Sequence, residues 1–194
     1  MNATTVFVPG LRDHVAEHWQ THMAASIPGS ITVEPLTENR LSREARVAAL
    51  EATLAGIEGD IYLVAHSAGV LTVAFWDQIA TRPIRGALLV TPADVECPLP
   101  AGYPEQSALE ANGWVPMPRL PLSFPALVVA SRNDPLGAFD KVADLARCWR
   151  ARLHDAGDVG HLNPAAGFGP WPDGYLLWAE MLELHPPRGS VQAG

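Results

Sequence analysis

Short runs dense in apolar and β-branched residues alternate along the chain with longer stretches in which apolar residues return every three or four positions. The short runs cover residues 4–8, 31–35, 61–65, 84–91, 125–131 and 150–157, and they predict six strands. The run at 61–65, Ile-Tyr-Leu-Val-Ala, is apolar at nearly every position, as in a strand covered on both faces. Between the strands the spacing changes. Val15, Trp19, Met23 and Ile27 recur every fourth residue and predict a helix over 14–27, closed by Pro28-Gly29. Ser42 can cap a second helix whose face carries Val47, Leu50, Leu54 and Ile57, with Gly59 beyond its end. Leu71, Phe75 and Ile79 mark a third over 68–81, and Phe139, Val142, Ala146 and Trp149 a fourth over 139–150. Trp171, Tyr175, Trp178 and Leu182 mark the last, with Pro172 near its first turn and Pro186-Pro187 stopping it.

Strands joined by helices require crossover connections, which are right-handed. The expected fold is therefore α/β, a mainly parallel sheet of about six strands with helices on both faces. With 194 residues the chain suffices for one sizeable core, and the expectation is a single domain over 1–194. Residues 92–125 break the rhythm with eight prolines, little periodicity and two aromatics that read as exposed, Tyr103 and Trp114. The segment follows the C-terminal end of a central strand, the ligand-binding edge of such sheets, so it is expected to cover part of a pocket.

Charge narrows the function. The net charge is −8, only Lys141 is a lysine, and no basic stripe is available to neutralise phosphates, so nucleic acid is not expected as a partner. Arg40, Arg43 and Arg46 interleave with Glu38 and Glu44 and read as a solvated, ion-paired helix face. Charged residues interrupt every long apolar run, and the first ten residues lack the basic start and apolar core of a signal peptide. Cys97 and Cys148 are far apart and form no C-x-x-C pair. A cytoplasmic chain with two reduced thiols, without membrane attachment, is the expectation.

Against that background the stretch YLVAHSAGVLTVAFW, residues 62–76, stands out, because a buried strand runs through His-Ser-Ala-Gly directly into a buried helix. At such a corner Ser67 would project its hydroxyl at the sheet's carboxyl edge, and its neighbours must be small because strand and helix pass close together. Ala65, Ala68 and Gly69 meet that demand, giving G-x-S-x-G with Ala at its first position. The alternative is that Ser67 merely caps the following helix. If it is a nucleophile, the helix N-terminus offers the Ala68 N–H to a developing oxyanion. A second donor is expected from the Val-Pro-Gly-Leu-Arg loop, with Leu11 first and Arg12 second.

A serine nucleophile needs a base, and the base needs a carboxylate to fix its tautomer. Asp134 lies in Ser-Arg-Asn-Asp-Pro at the end of the strand over 125–131, and His161 lies in a Gly-rich loop after the last strand. Asp158 and Asp94 compete for the acid role; His66 is expected to point away from the hydroxyl, and His154 to sit within a strand. His14, His18 and His22 fall at i, i+4 and i+8. Three such residues on a straight helix span ~12 Å and cannot all reach one tetrahedral ion, so an ordinary polar face is expected and no metal or cofactor is assigned.

Strand–Pro-Gly, Ala-His-Ser-Ala-Gly, Ser-Arg-Asn-Asp-Pro and Gly-His-Leu-Asn, in this order, resemble an α/β-hydrolase. Together with VPGL…HWQ and GHLNPAAGFGPWPDG (160–174), the chain resembles the small serine hydrolases of the YdeN and retinoblastoma-binding-protein-9-like family. The resemblance implies a compact three-layer hydrolase without a large cap domain, acting through Ser67, Asp134 and His161 on a small ester, with amide or peptide bonds also in range. Acyl transfer or thioester cleavage on the same residues, and a non-catalytic binding module, are the alternatives. The segment VECPL (95–99) lacks the Leu and Glu of the Leu-x-Cys-x-Glu motif associated with the animal relative, so no such partner is carried over. Within the family-like motifs His18, Trp19, Gly169 and Trp171 read as scaffold or pocket wall, and Trp114, Phe168 and Trp171 are the expected pocket aromatics.

Overall fold

In the computed structural model, residues 3–188 are described; residues 1–2 and 189–194, which the sequence assigns to the same domain, lie outside the described residues. The strands are β1 (Ala3–Val8), β2 (Ile31–Thr32), β3 (Asp60–His66), β4 (Gly86–Val90), β5 (Ala126–Ala130) and β6 (Arg152–Asp155). They form one sheet in the order β2-β1-β3-β4-β5-β6, and every adjacent pair is parallel. The helices are α1 (Trp19–Ser26), α2 (Arg43–Ala55), α3 (Ala68–Asp77), α4 (Gln106–Ala111), α5 (Phe139–Cys148) and α6 (Pro172–Leu184). Among the described residues no helix is long and apolar enough to cross a membrane.

The period of two along each strand divides the core. Val6, Val8, Leu63, Ala65, Leu89 and Val128 face α2, α3 and α5, whereas Phe7, Tyr62, Val64, Leu88, Val90 and Val129 face α1 and α6. Both faces of β3 are therefore covered, which is why it is apolar throughout and buried along its whole length. This is the parallel sheet with helices on both faces expected from the alternating pattern, in the three-layer form that the resemblance to α/β-hydrolases implies.

Three expectations are corrected. The helix predicted from residue 14 begins only at Trp19. His18 has extended backbone, φ −80° and ψ 144°, and is the N-cap, its Nδ1 accepting from the Gln20 N–H at 3.1 Å. His14, His18 and His22 thus do not share a helix face, and His18 is buried. Secondly, Trp114 is fully buried, its Nε1–H donating to the Leu41 carbonyl at 2.7 Å. Leu109 of α4, Met117 and Phe124 join it in the core on the α2–α3–α5 side, so the proline-rich segment is packed through much of its length. Finally, Arg46 is buried, not part of a solvated face.

The sheet order reverses direction between β1 and β3: the chain leaves β1 outward to β2 and returns on the other side. Ligands of open parallel sheets bind above the carboxyl ends at such a switch point. The loops after β1 and after β3 flank that crevice.

Candidate active site

Ser67 follows β3 at the switch point, with φ +57° and ψ −127°, a conformation that L-residues rarely adopt. It occupies the N-cap position of α3, yet its side chain makes no capping bond. Two close approaches hold the corner. A Cβ on Gly69 would lie 2.2 Å from the Val8 carbonyl oxygen, so only glycine lets α3 cross the end of β1. A Cβ on Gly10 would lie 3.1 Å from Ser67 Cβ, which brings the loop after β1 directly alongside the serine.

The structure brings Ser67, His161 and Asp134 together. His161 Nε2 is 2.9 Å from Ser67 Oγ, and its Nδ1 is 2.8 and 3.0 Å from Asp134 Oδ2 and Oδ1. With Nδ1–H donating to the carboxylate, Nε2 is free to accept from the hydroxyl, an arrangement along which the serine proton can leave. Asp134 and His161 are buried, whereas Ser67 is half-buried and faces a cavity. Asp134 Oδ1 also accepts from the Leu136 N–H at 2.8 Å, which sets the carboxylate's orientation. Asp158 is exposed, and Asp94 turns its carboxylate to the Glu96 N–H at 3.1 Å; neither is bonded to His161.

The loop carrying His161 is tied down at several points. Gly160 N–H donates to Asn133 Oδ1 at 2.6 Å and Val159 N–H to Ser131 Oγ at 3.2 Å, so the Ser-Arg-Asn-Asp turn positions both the acid and the imidazole. The His161 carbonyl accepts from His66 Nε2–H at 2.9 Å and from the Thr91 hydroxyl at 3.4 Å. Trp19 Nε1–H donates to the neighbouring Leu162 carbonyl at 2.9 Å. His66 points away from the serine, as expected from its place on the strand, and its ring packs 4.8 Å from that of His161. The His18 ring lies 4.6 Å beyond His66.

Both supporting imidazoles are neutral. Burial, reinforced by repulsion from His161 and His18, holds His66 well below the ordinary histidine value. Burial, then His161 and His22, lowers His18 to about 4. Neither ring can compete for the serine proton near neutral pH.

The Leu11 and Ala68 residues both line the cavity next to Ser67, and neither N–H donates to another group among the described residues. A buried guanidinium holds the loop bearing Leu11. Arg46 donates to the Gly10 carbonyl at 3.3 Å, the Leu11 carbonyl at 3.3 Å, the Arg40 carbonyl at 2.9 Å and Asp13 Oδ1 at 2.9 Å. Sequence reasoning missed this clamp because acidic neighbours make Arg46 look solvated. A signal was present: Arg46 stands at i, i+4 and i+8 with Leu50 and Leu54, on the apolar stripe of α2.

The cavity has a volume of about 270 Å³. Its apolar wall comes from Leu11, Val15 and Leu136, and the proline-rich segment contributes Ala93, Val95, Leu99, Tyr103 and Pro104. The aromatics expected there lie elsewhere. Trp114 is in the core beneath, Phe168 packs into the α1–α6 side, and Trp171 stacks edge-on against Trp19 at 5.0 Å. Gly169 is scaffold, since a Cβ there would lie 3.1 Å from the Glu17 carbonyl oxygen. His18 does line the cavity.

Residues 5–180 match the sequence profile of the family described as serine hydrolase. A YdeN-like hydrolase of Pectobacterium atrosepticum is 32% identical, with 94% of this chain and 91% of that one covered and a TM-score of 0.79. The ydeN gene product of B. subtilis is 20% identical over 94% of this chain and 100% of its own, with a TM-score of 0.74. Est1E of Butyrivibrio proteoclasticus, solved with ferulic acid bound, is 12% identical over 94% and 88% with a TM-score of 0.66, a likeness of fold alone. No curated protein matches the chain significantly.

Proposed function

The chain belongs to the serine hydrolase family and resembles its YdeN-like members, and from that premise we propose that it cleaves small carboxylic esters, and amides of similar size, through an acyl-enzyme on Ser67. One observation carries this reading: the Ser67 hydroxyl, His161 imidazole and Asp134 carboxylate form an unbroken hydrogen-bonded series with contacts of 2.9 and 2.8 Å.

In the proposed mechanism Ser67 Oγ attacks the substrate carbonyl carbon as its proton passes to His161 Nε2. Asp134 accepts from Nδ1–H throughout and stabilises the imidazolium. The carbonyl oxygen becomes an oxyanion held by the N–H groups of Leu11 and Ala68, each such donor being worth roughly 10²–10³ in rate. His161 then returns the proton to the leaving alcohol or amine as its bond to the carbonyl carbon breaks. Water repeats the sequence on the acyl-enzyme and releases the acid and Ser67. At ~30 Å³ per water, the cavity of about 270 Å³ suits a short or medium acyl group.

A fluorophosphonate probe and 4-nitrophenyl esters of graded acyl length test the reading. The protein is expected to take up one probe and to turn over the shorter esters, and Ser67→Ala to lose both. Absence of labelling and turnover in the intact protein would favour a binding module. Faster transfer to an added alcohol or thiol than to water would reassign the reaction to acyl transfer.

A further inference from the structure

Resting on the hydrolase reading of Ser67, we infer that the substrate carries a negatively charged group and that the Arg12 guanidinium, at the wall of the cavity, selects for it. The cavity's charges support this. Its walls are mainly aliphatic, and the charged side chains lining it are Arg12 and Asp13 beside the histidines. Asp13 is neutralised: its two oxygens meet Arg46 at 2.9 Å and Arg40 at 3.0 Å. His18 is neutral because burial lowers it, and its Nδ1 already accepts from Gln20. His66 is neutral and bonded to the His161 carbonyl. Arg12 has no carboxylate partner among the described residues, so its guanidinium is an unpaired positive charge on the cavity wall in a chain of net charge −8.

Arg12 is also preorganised. Its guanidinium carbon lies over the Tyr103 ring, 4.9 Å from the centroid, a cation–π contact that restrains the group while none of its N–H groups donates to a carboxylate among the described residues. Both residues line the same cavity as Ser67. Arg12 directly follows Leu11, so the Arg46 clamp that fixes the Leu11 N–H also fixes the origin of the Arg12 side chain. Carbonyl and anion are thereby read by adjacent residues of one loop. A guanidinium presents paired donors to a carboxylate, which a neutral substrate of the same length cannot use. The anion could lie on the acyl or the leaving-group side, and paired substrates separate these sources.

The acyl arm compares 4-nitrophenyl hydrogen glutarate with 4-nitrophenyl valerate, and the leaving-group arm compares 3-carboxy-4-nitrophenyl butyrate with 4-nitrophenyl butyrate. In one arm kcat/KM is expected to favour the acid at least fivefold after correction for the intrinsic reactivity of each ester. The ratio should shrink in 0.5 M NaCl as ions screen the exposed Arg12, fall to near one in Arg12→Gln, and recover in part in Arg12→Lys. Equal or lower kcat/KM for the acid in both arms would overturn the inference while leaving the hydrolase reading intact, as would a preference that survives Arg12→Gln. A binding measurement needs no turnover. On the Ser67→Ala protein, benzoate is expected to bind at least fivefold more tightly than benzamide, and Arg12→Gln to remove the difference; equal binding would overturn the inference. Should no ester be cleaved and no phosphonate taken up, the hydrolase reading fails by itself, and the benzoate comparison still decides the role of Arg12.

Discussion

Gly69 lies so close to Val8 that a Cβ on the glycine would stand 2.2 Å from the Val8 carbonyl oxygen. The neighbouring Pro9 oxygen would be 2.7 Å away, so the obstacle is backbone on both counts. Helix α3 can leave the end of β3 and pass over β1 only where position 69 has no side chain. The crossing is therefore built into the motif that carries Ser67.

The first prediction concerns that crossing. Gly69→Ala should push α3 off β1, costing several kcal/mol or preventing folding, because backbone cannot yield as a flexible side chain does. Ala65→Gly, at the other end of the motif, should cost only about 1 kcal/mol, the ordinary entropic penalty of glycine in a strand. Urea denaturation of the two variants compares them directly.

A second prediction follows from the Arg46 clamp. Arg46→Met removes four donated hydrogen bonds and leaves Asp13 buried with only the exposed Arg40 as partner. Breaking a buried ion pair in this way costs about 3–5 kcal/mol. Arg46→Lys keeps the charge but cannot reach all four acceptors, so it should fold with the Leu11 N–H displaced. Its kcat should fall about 10- to 100-fold with a smaller change in KM, since an oxyanion donor acts mainly in the transition state. Steady-state kinetics on a chromogenic ester, with thermal melts as the folding control, check this.

The third prediction distinguishes the carboxylates. Asp134→Asn should keep the local geometry but favour the wrong imidazole tautomer, lowering kcat by about 10⁴. Asp158→Asn and Asp94→Asn should stay within about twofold of the parent, because neither carboxylate is bonded to His161. Kinetics of the three variants at one pH suffice.

A fourth prediction concerns acid stability. His18 binds a proton only near pH 4 in the folded state, whereas in the unfolded chain it does so near its ordinary value of 6.5. Between these values the unfolded state holds more protons, so stability rises with pH there and is lost as pH falls. His66, lowered for the same reason, adds a loss of the same sign. Each contributes a slope approaching ~1.4 kcal/mol per pH unit within its window. His18→Asn can still cap α1 through its side-chain oxygen but cannot titrate, so unfolding free energies measured from pH 7 to pH 4 should show a shallower decline for the variant.

Much of the fold was legible because its determinants are local. Apolar spacing of two or about four marks strands and helices before any tertiary contact exists, and six strand runs separated by helical ones leave few topologies besides a parallel sheet with helices on both faces. The candidate residues were legible for a related reason. A motif at a strand end, such as Ala-His-Ser-Ala-Gly or Ser-Arg-Asn-Asp-Pro, inherits its place at the carboxyl edge from the sheet itself.

By itself the sequence determined these elements, their order, and three strand-end side chains destined for one edge. Tertiary structure alone decided what no local pattern encodes: that His18 takes extended backbone and α1 starts only after it, that Trp114 of the proline-rich segment is buried in the core, that Arg46 reaches across to hold the Gly10–Leu11 loop, and that aliphatic residues, not the expected aromatics, wall the cavity. The physical reason is that burial belongs to a side chain's neighbours in space. Arg46 and Asp13 are 33 residues apart in the chain, and only the placement of α2 against the loop after β1 turns two ordinary surface charges into one buried pair.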